Sequence, residues 1–302
     1  MDAIIETDRL TKRYGSARGI EDVTMSVQRG EAFGFLGPNG AGKTTTIRSL
    51  LDFLHPTSGR ARLFGLDSHR DSLAIRARLG NLPGEFAYEP RSTGRELLEF
   101  VAQLRGMRGL GTAPALAERF SAELDRPLGE LSRGNRQKIG LVQAMFHQPE
   151  LLILDEPTGG LDPLMQEQFH EVVAEQRDRG VTVFLSSHML DEVERLCDRV
   201  GIIREGRLID VEPVPALTRR SYRLVTVEFA EPVNAAEFEH LPGVSDLSAD
   251  GTRVTFRAAG ALDPVVKAIA RHPVRDLELA HPSLEEIFLT YYAGPNGSRA
   301  AS

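Results

Sequence analysis

The chain has 302 residues, 41% of them hydrophobic, a formal net charge of −7 and one cysteine. That length suits about two domains with sizeable cores, while a lone Cys197 excludes an internal disulfide framework and a thiolate zinc cluster. The acidity argues against a broad electrostatic footprint for nucleic acid; with no run near the roughly 18 apolar residues of a membrane span and an acidic start unlike a secretory leader, a cytoplasmic protein is expected.

From Ile4 to Val27, short apolar segments interrupted by Gly15 and Gly19 predict strands of an antiparallel edge sheet, with Tyr14 in the first loop. The apolar stretch Ala32 to Leu36 then leads into Gly37-Pro38-Asn39-Gly40-Ala41-Gly42-Lys43-Thr44, which fits the pattern G-x-x-x-x-G-K-[ST] at every fixed position. A helix follows to about Phe53, so the run has the strand-before, helix-after context of a phosphate loop. Its glycines let backbone N–H groups turn toward phosphate oxygens, and the helix aims the positive end of its dipole at the same charge. Lys43 would reach the β- and γ-phosphates and Thr44 would give its hydroxyl to Mg²⁺, whereas Thr45 suits either a neighbouring phosphate or a helix cap. Lysine occurs only at 12, 43, 138 and 267 in this arginine-rich chain, so Lys43 is not compositional noise.

Further along, Gly59 to Phe64 is expected as a strand, Ser68 to Ala77 as a helix, and Arg78 to Leu82 as a short strand ending at Pro83. Gly84 to Arg91 has loop composition, and Thr93-Gly94-Arg95-Glu96 is a capping-box pattern that opens a mainly helical region. After Leu131, Ser132 to Gly134 precedes a helical run through His147. Leu151 to Leu154, closed by Asp155 and Glu156, and Val181 to Leu185 have the continuous apolar character of buried parallel strands. Helices are expected over Pro163 to Arg179 and Asp191 to Cys197, and the alternation indicates a parallel-sheet α/β domain. Near Pro213 to Thr218 the pattern breaks. Tyr222 to Phe229 alternates as a strand, and Val244 to Leu247 and Arg253 to Phe256 flank the hairpin signal Asp250-Gly251. Helix at Leu262 to Arg271, extended chain at Val274 to Leu279 and helix at Ser283 to Tyr292 complete a small α+β unit.

Three further places carry candidate chemistry. Asp155, at the end of a parallel strand, is suited to the Mg²⁺ shell, and its neighbour Glu156 to polarising an attacking water. Adjacent acids at a strand end are otherwise a solvated terminus, and the phosphate loop is what favours function here. His188 follows a second such strand, where an imidazole can bond a γ-phosphate oxygen or orient water. Leu131-Ser132-Arg133-Gly134-Asn135 suits a plain N-cap or, with its hydroxyl and free N–H groups, an anion site.

Taken in order, GPNGAGKTT at 37–45, LSRGN at 131–135, LLILDE at 151–156, GGLD at 159–162 and His188 make the chain resemble the nucleotide-binding subunit of ATP-binding cassette (ABC) transporters over about residues 4–212. The resemblance implies a P-loop NTPase fold over 1–215, with a parallel core sheet, an antiparallel edge sheet and a helical subdomain at about 84–148. A small α+β domain at 216–293 and a disordered tail at 294–302 would follow. By the same resemblance the ligands are ATP and Mg²⁺, Tyr14 stacks on adenine, Glu156 and His188 are catalytic, His188 being the switch histidine, and Asp162 belongs to the loop at the subunit contact. Ser132 and Gly134 would bind the γ-phosphate held by a second subunit, so a head-to-tail homodimer with two ATP molecules in its interface is expected. Two departures stand out: Gly84 and Glu85 follow Leu82-Pro83 where the family has a Mg²⁺-sensing glutamine, and Arg133 and Asn135 replace a glycine and a glutamine. Glu85 offers an oxygen ligand but adds negative charge.

The C-terminal unit, with Ser283-Leu284-Glu285-Glu286-Ile287-Phe288, is similar to the extension on ABC-2 type exporter ATPases, including drug-efflux members. Export through a separate membrane permease is therefore the expected function, with the subunit held at the inner face of the membrane and Gly84 to Leu98 as the contact. The alternative, a soluble ABC-type ATPase acting on nucleic acid or ribosomes, typically brings paired cassettes, long coiled coils or zinc modules; this chain has one cassette, no sustained heptads and one cysteine. No nucleic acid is expected as a partner.

Overall fold

The computed structural model describes residues 3–15, 17–220 and 222–280. The helix expected at Ser283 to Tyr292 and the tail from 294 lie outside the described residues. Two compact units divide between Glu212 and Pro213.

In the first unit, β1 (Ala3–Tyr14) and β2 (Ala17–Gln28) pair antiparallel, and Tyr14 opposes Ala17 at the end of β1. Tyr14 therefore ends a strand and does not lie in a loop, because the turn after it is shorter than the glycines suggested. Next come β3 (Ala32–Leu36), α1 (Lys43–Leu50), β4 (Ser58–Leu63), β5 (Leu66–Asp67), α2 (Ser72–Arg78) and β6 (Leu79–Leu82). The middle region holds α3 (Gly94–Leu104), α4 (Ala113–Arg119) and α5 (Arg133–Met145). Thr93 and Glu96 form the expected capping box: the Thr93 hydroxyl accepts from the Glu96 N–H and the Glu96 carboxylate from the Thr93 N–H.

The chain continues through β7 (Leu151–Asp155), α6 (Pro163–Asp178), β8 (Thr182–Ser187), α7 (Leu190–Leu196), β9 (Arg199–Arg204) and β10 (Arg207–Pro213). The last two strands carry charged residues at their ends, which hides them in a hydropathy pattern. Glu205 and Gly206 join them with φ of 53° and 80°, the left-handed pair that a tight hairpin turn requires.

One sheet has the order β2-β1-β4-β5 and the other β10-β9-β3-β8-β7-β6. In the second, β9, β3, β8, β7 and β6 pair in parallel, with Leu36 opposite Ser187 and Asp155 opposite Ser186. The carboxyl ends of β3, β7 and β8 thus lie side by side. Every residue of these three strands is buried, which explains the continuous apolar runs that precede their polar carboxyl ends at Asp155, Ser186 and Ser187. Phe33, Phe35, Ile153 and Phe184 anchor the core that holds them, with Phe33 and Phe184 stacked at 5.8 Å.

The second unit begins with α8 (Val214–Arg220), a helix where the sequence pattern suggested only a break; Pro215 is tolerated in its first turn because no helical hydrogen bond needs a donor at that position. It is followed by β11 (Tyr222–Phe229), α9 (Ala236–Glu239), β12 (Val244–Asp250), β13 (Arg253–Ala259), α10 (Asp263–Ile269) and β14 (Val274–Ala280). The strand order is β12-β13-β11-β14, with Asp250 paired to Arg253 across the expected turn. Val225, Val227, Phe229, Phe238, Val254 and Phe256 are its core. Among the described residues, no helix of the protein is long and apolar enough to cross a membrane.

His147, just past α5, donates from Nε2 to the Leu79 carbonyl at 3.1 Å. Burial, helped by the Arg105 guanidinium, lowers its pKa from 6.5 to about 4. Between those values the unfolded chain takes up a proton that the folded chain refuses, so stability is complete above pH 6.5 and falls toward pH 4 by at most about 3 kcal/mol. His147→Leu is expected to flatten that loss, read as the difference in urea midpoint between pH 7 and pH 4.5.

Candidate functional site

Between β3 and α1, residues 37–42 form a loop whose turns need glycine: Gly40 and Gly42 have φ of 77° and 111°. Gly37 is required by space, since a Cβ there would lie 2.4 Å from the Ile203 carbonyl oxygen. Gly42 is also the N-cap of α1, so no side chain bonds the first N–H groups of the helix. Those groups and the helix dipole make the loop a cradle for anionic oxygen. With Gly42 as cap, Thr45 lies inside the first turn and the capping alternative for it is removed.

Lys43 is buried at the loop's centre. Its ammonium donates to the carbonyls of Gly37 at 2.6 Å and Pro38 at 3.2 Å, and lies 3.1 Å from Glu156 Oε1. Thr44 Oγ1 donates to Asp155 Oδ2 at 2.8 Å, and Ser186 Oγ donates to Asp155 Oδ1. Asp155 is therefore bonded at both oxygens, from the helix before it in the cleft and from the strand beside it. Glu156 leaves the strand with φ of 52°, a left-handed conformation that L-residues rarely adopt. Its N–H donates to the Ser186 carbonyl and hydroxyl, both at 3.2 Å. This turn brings the carboxylate back over the loop, with Oε1 on Lys43 and Oε2 2.5 Å from His188 Nδ1.

The resulting cleft, about 720 Å³, is lined by Asn39, Gly40, Gly42, Lys43, Thr44, Thr45, Asp155, Glu156 and His188, together with Gly84, Glu85 and Arg133 among others. The size suits a ligand of several hundred daltons. Asp155 Oδ2 would stand 3.0 Å from a Cβ at position 84, so glycine there makes room for the carboxylate, and exposed Glu85 borders the cleft beside Asp155 and Glu156.

Other residues singled out in the sequence do not line this cleft. Tyr14 is 41% exposed at the end of β1, with the Lys12 ammonium 5.6 Å from its ring centre. Ser132 caps α5, its hydroxyl accepting from the Asn135 N–H at 3.2 Å, and Gly134 packs so tightly that a Cβ would meet the Gly160 carbonyl oxygen at 2.5 Å. Asp162 caps α6 through the Met165 N–H at 3.0 Å. Conversely, the sequence reading missed Ser186, Gln137 and Glu192. The Gln137 amide donates to the carbonyls of Glu156 and Pro157 at 3.3 and 2.9 Å, holding the turn after β7. Glu192 is buried, and burial pushes its carboxyl pKa up, against hydrogen bonds from Ser187 and Thr158. A polar residue at the end of an apolar strand was the available signal for Ser186.

Residues 20–159 match the family model described as ABC transporter. The chain is 37% identical over 234 residues to the bacitracin transport ATP-binding protein BcrA of Bacillus licheniformis, covering 76% of each chain. It is 34% identical to the daunorubicin resistance ATP-binding protein DrrA3 of Streptomyces coeruleorubidus over 95% of each. A solved ATP-binding subunit of an ABC transporter superposes with a TM-score of 0.65 and 31% identity, over 72% of this chain and 92% of that one.

Ser186→Ala leaves an oxygen of the buried Asp155 carboxylate without its donor, which should cost about 1–3 kcal/mol of stability. Denaturant unfolding at neutral pH measures it.

Proposed function

The chain belongs to the ABC transporter family, as an ATP-hydrolysing subunit of an exporter, and from that premise we propose how its own residues bind ATP, hydrolyse it and pass the work to a membrane partner. The observation that carries the proposal is the convergence of Lys43, Thr44, Asp155, Glu156 and His188 on one cleft. The N–H groups at the start of α1 and the Lys43 ammonium would hold the β- and γ-phosphates. Thr44 and Asp155 present hard oxygens 2.8 Å apart, a donor set that fits Mg²⁺. When bound, Mg²⁺ supplies charge neutralisation between the phosphates. Once Lys43 turns from Glu156 Oε1 to the phosphates, Glu156 is the group placed to accept a hydrogen bond from the attacking water through that oxygen and align it with the γ-phosphate, while His188 holds Oε2.

Tyr14, on the exposed strand end, would offer its ring to adenine. Ser132, Gly134 and Asp162 lie outside the cleft of their own chain, which supports the reading that they complete the site of a second subunit in a head-to-tail dimer. Closure of such a dimer on ATP and its release on hydrolysis give a population shift between two arrangements.

A groove of about 490 Å³ supports a contact for the permease near Gly84 to Leu98: Phe53, Pro83, Phe86, Leu97 and Val101 line it with Glu85, which also borders the ATP cleft. Arg48 and Glu85 are thus shared by both. The subunit would work at the cytoplasmic face of the membrane, bound through that partner. BcrA and DrrA3 carry the names of bacitracin transport and daunorubicin resistance, which supports export of an antibiotic-like compound by the complex this chain serves.

Glu156→Gln keeps the size and hydrogen-bonding shape of the side chain but removes its charge. Phosphate release by the purified variant should fall by a factor of about 10² or more while ATP binding, read by equilibrium dialysis, is retained. Hydrolysis at the parent rate would show that Glu156 does not have the assigned role.

A further inference from the structure

At the far end of α1 from the phosphate loop, Asp52, His55 and His69 converge on the protein surface. Asp52 Oδ1 lies 3.2 Å from His55 Nδ1 and 2.8 Å from His69 Nδ1, and the three ligand atoms fall within 4.8 Å of one another. Around a tetrahedral ion with bonds of about 2.0–2.1 Å, neighbouring ligand atoms stand about 3.3 Å apart. The 3.2 Å Asp52–His55 edge nearly matches that spacing, and the 2.8 Å Asp52–His69 edge needs to open by about half an ångström.

We propose that Asp52, His55 and His69 form a binding site for a divalent transition-metal ion of the Zn²⁺ class, separate from the nucleotide cleft. Two imidazoles and one carboxylate are borderline donors, which suit Zn²⁺, Co²⁺, Ni²⁺ or Cu²⁺ and disfavour Mg²⁺ and Ca²⁺. Three protein ligands on an exposed surface leave the fourth position of the ion to water.

The surroundings position the donors. The Asp52 side chain is only 13% exposed, whereas those of His55 and His69 are 67% and 62% exposed, so the carboxylate is a fixed base under two accessible rings. Arg76 Nη2 stands 3.8 Å from Asp52 Oδ2, on the oxygen turned away from the imidazoles. The nearest edge of the backbone is tied as well: the Lys12 ammonium donates to the His55 carbonyl at 2.7 Å, and the His69 N–H to Asp67 Oδ1 at 3.1 Å. These contacts orient the ligands as outer partners do in built metal sites. Asp52 itself takes a left-handed φ of 60° just beyond α1, which turns its side chain back toward the loop bearing His69. Bound metal would pin the end of the phosphate-loop helix to the segment between β5 and α2.

The test uses the full chain, stripped with EDTA and kept in excess Mg²⁺ so that hard-oxygen sites are filled. Titration with Co²⁺ should produce visible absorption bands that saturate near one equivalent and are displaced by Zn²⁺. His55→Ala and His69→Ala, both at exposed side chains, should each weaken that binding by at least about tenfold, and Zn²⁺ should raise the melting temperature of the parent but not of the double variant. Absence of binding up to millimolar Co²⁺ would overturn the proposal. So would bands that persist in the double variant, or that vanish in His188→Ala but survive in His69→Ala, since the ion would then lie in the nucleotide cleft.

Discussion

The hydrogen-bond chain Thr44–Asp155–Ser186 is the constraint on which the rest of the site depends. It joins the first turn of the phosphate-loop helix to the ends of two parallel strands, through a carboxylate that is 1% exposed. A charge so buried is tolerable only when its oxygens are bonded, and here the partners are the very groups that the neighbouring strands deliver to the same edge. Because Asp155 and Ser186 are opposed in register, a slip of one residue in either strand would turn one of them to the other face of the sheet. The geometry of the loop is thereby coupled to the core of the sheet, where Phe33, Phe35 and Phe184 fix the strands.

From that chain follows the position of Glu156. The next residue after a strand would ordinarily continue outward; its left-handed φ and the two bonds from its N–H to Ser186 bend it back over Lys43. Gln137 secures the outside of the same bend from α5. The catalytic proposal thus rests on a local backbone strain held by three separate elements, and the His188 contact is the last piece of that arrangement.

Much of this was legible in the sequence for physical reasons. Binding phosphates by backbone N–H groups demands glycines at set intervals, and parallel strands buried on both faces demand unbroken apolar runs such as Leu151 to Leu154. The hairpin at Asp250-Gly251 and the capping box at Thr93 were equally local and equally legible. What escaped depends on tertiary proximity. Ser186 and Gln137 are ordinary polar residues until the fold sets them against Asp155 and Glu156, and β9 and β10 hide their strand character under terminal charges. Asp52 and His55 stand three residues apart, but His69 comes only after the β4–β5 hairpin, so no fixed ligand spacing announces the set. Tyr14 is paired with Ala17, so the strand runs right up to Gly15, and only the partner strand reveals that the residue before the glycine is still in the sheet.

Ser132, Gly134 and Asp162 bear on the account's central claim, that this chain holds one half of each ATP site and a second copy supplies the other. Within one chain Ser132 and Asp162 cap their own helices and none of the three borders the cleft. The direct measurement is disulfide formation between Asn39→Cys and Ser132→Cys in one chain that also carries Cys197→Ala, both engineered positions being exposed and the native thiol buried. Under mild oxidation with ATP and Mg²⁺, the account predicts a covalently linked dimer on a non-reducing gel that is much reduced without nucleotide. A chain that stays monomeric under all these conditions, or a disulfide closed within a single chain, would contradict it.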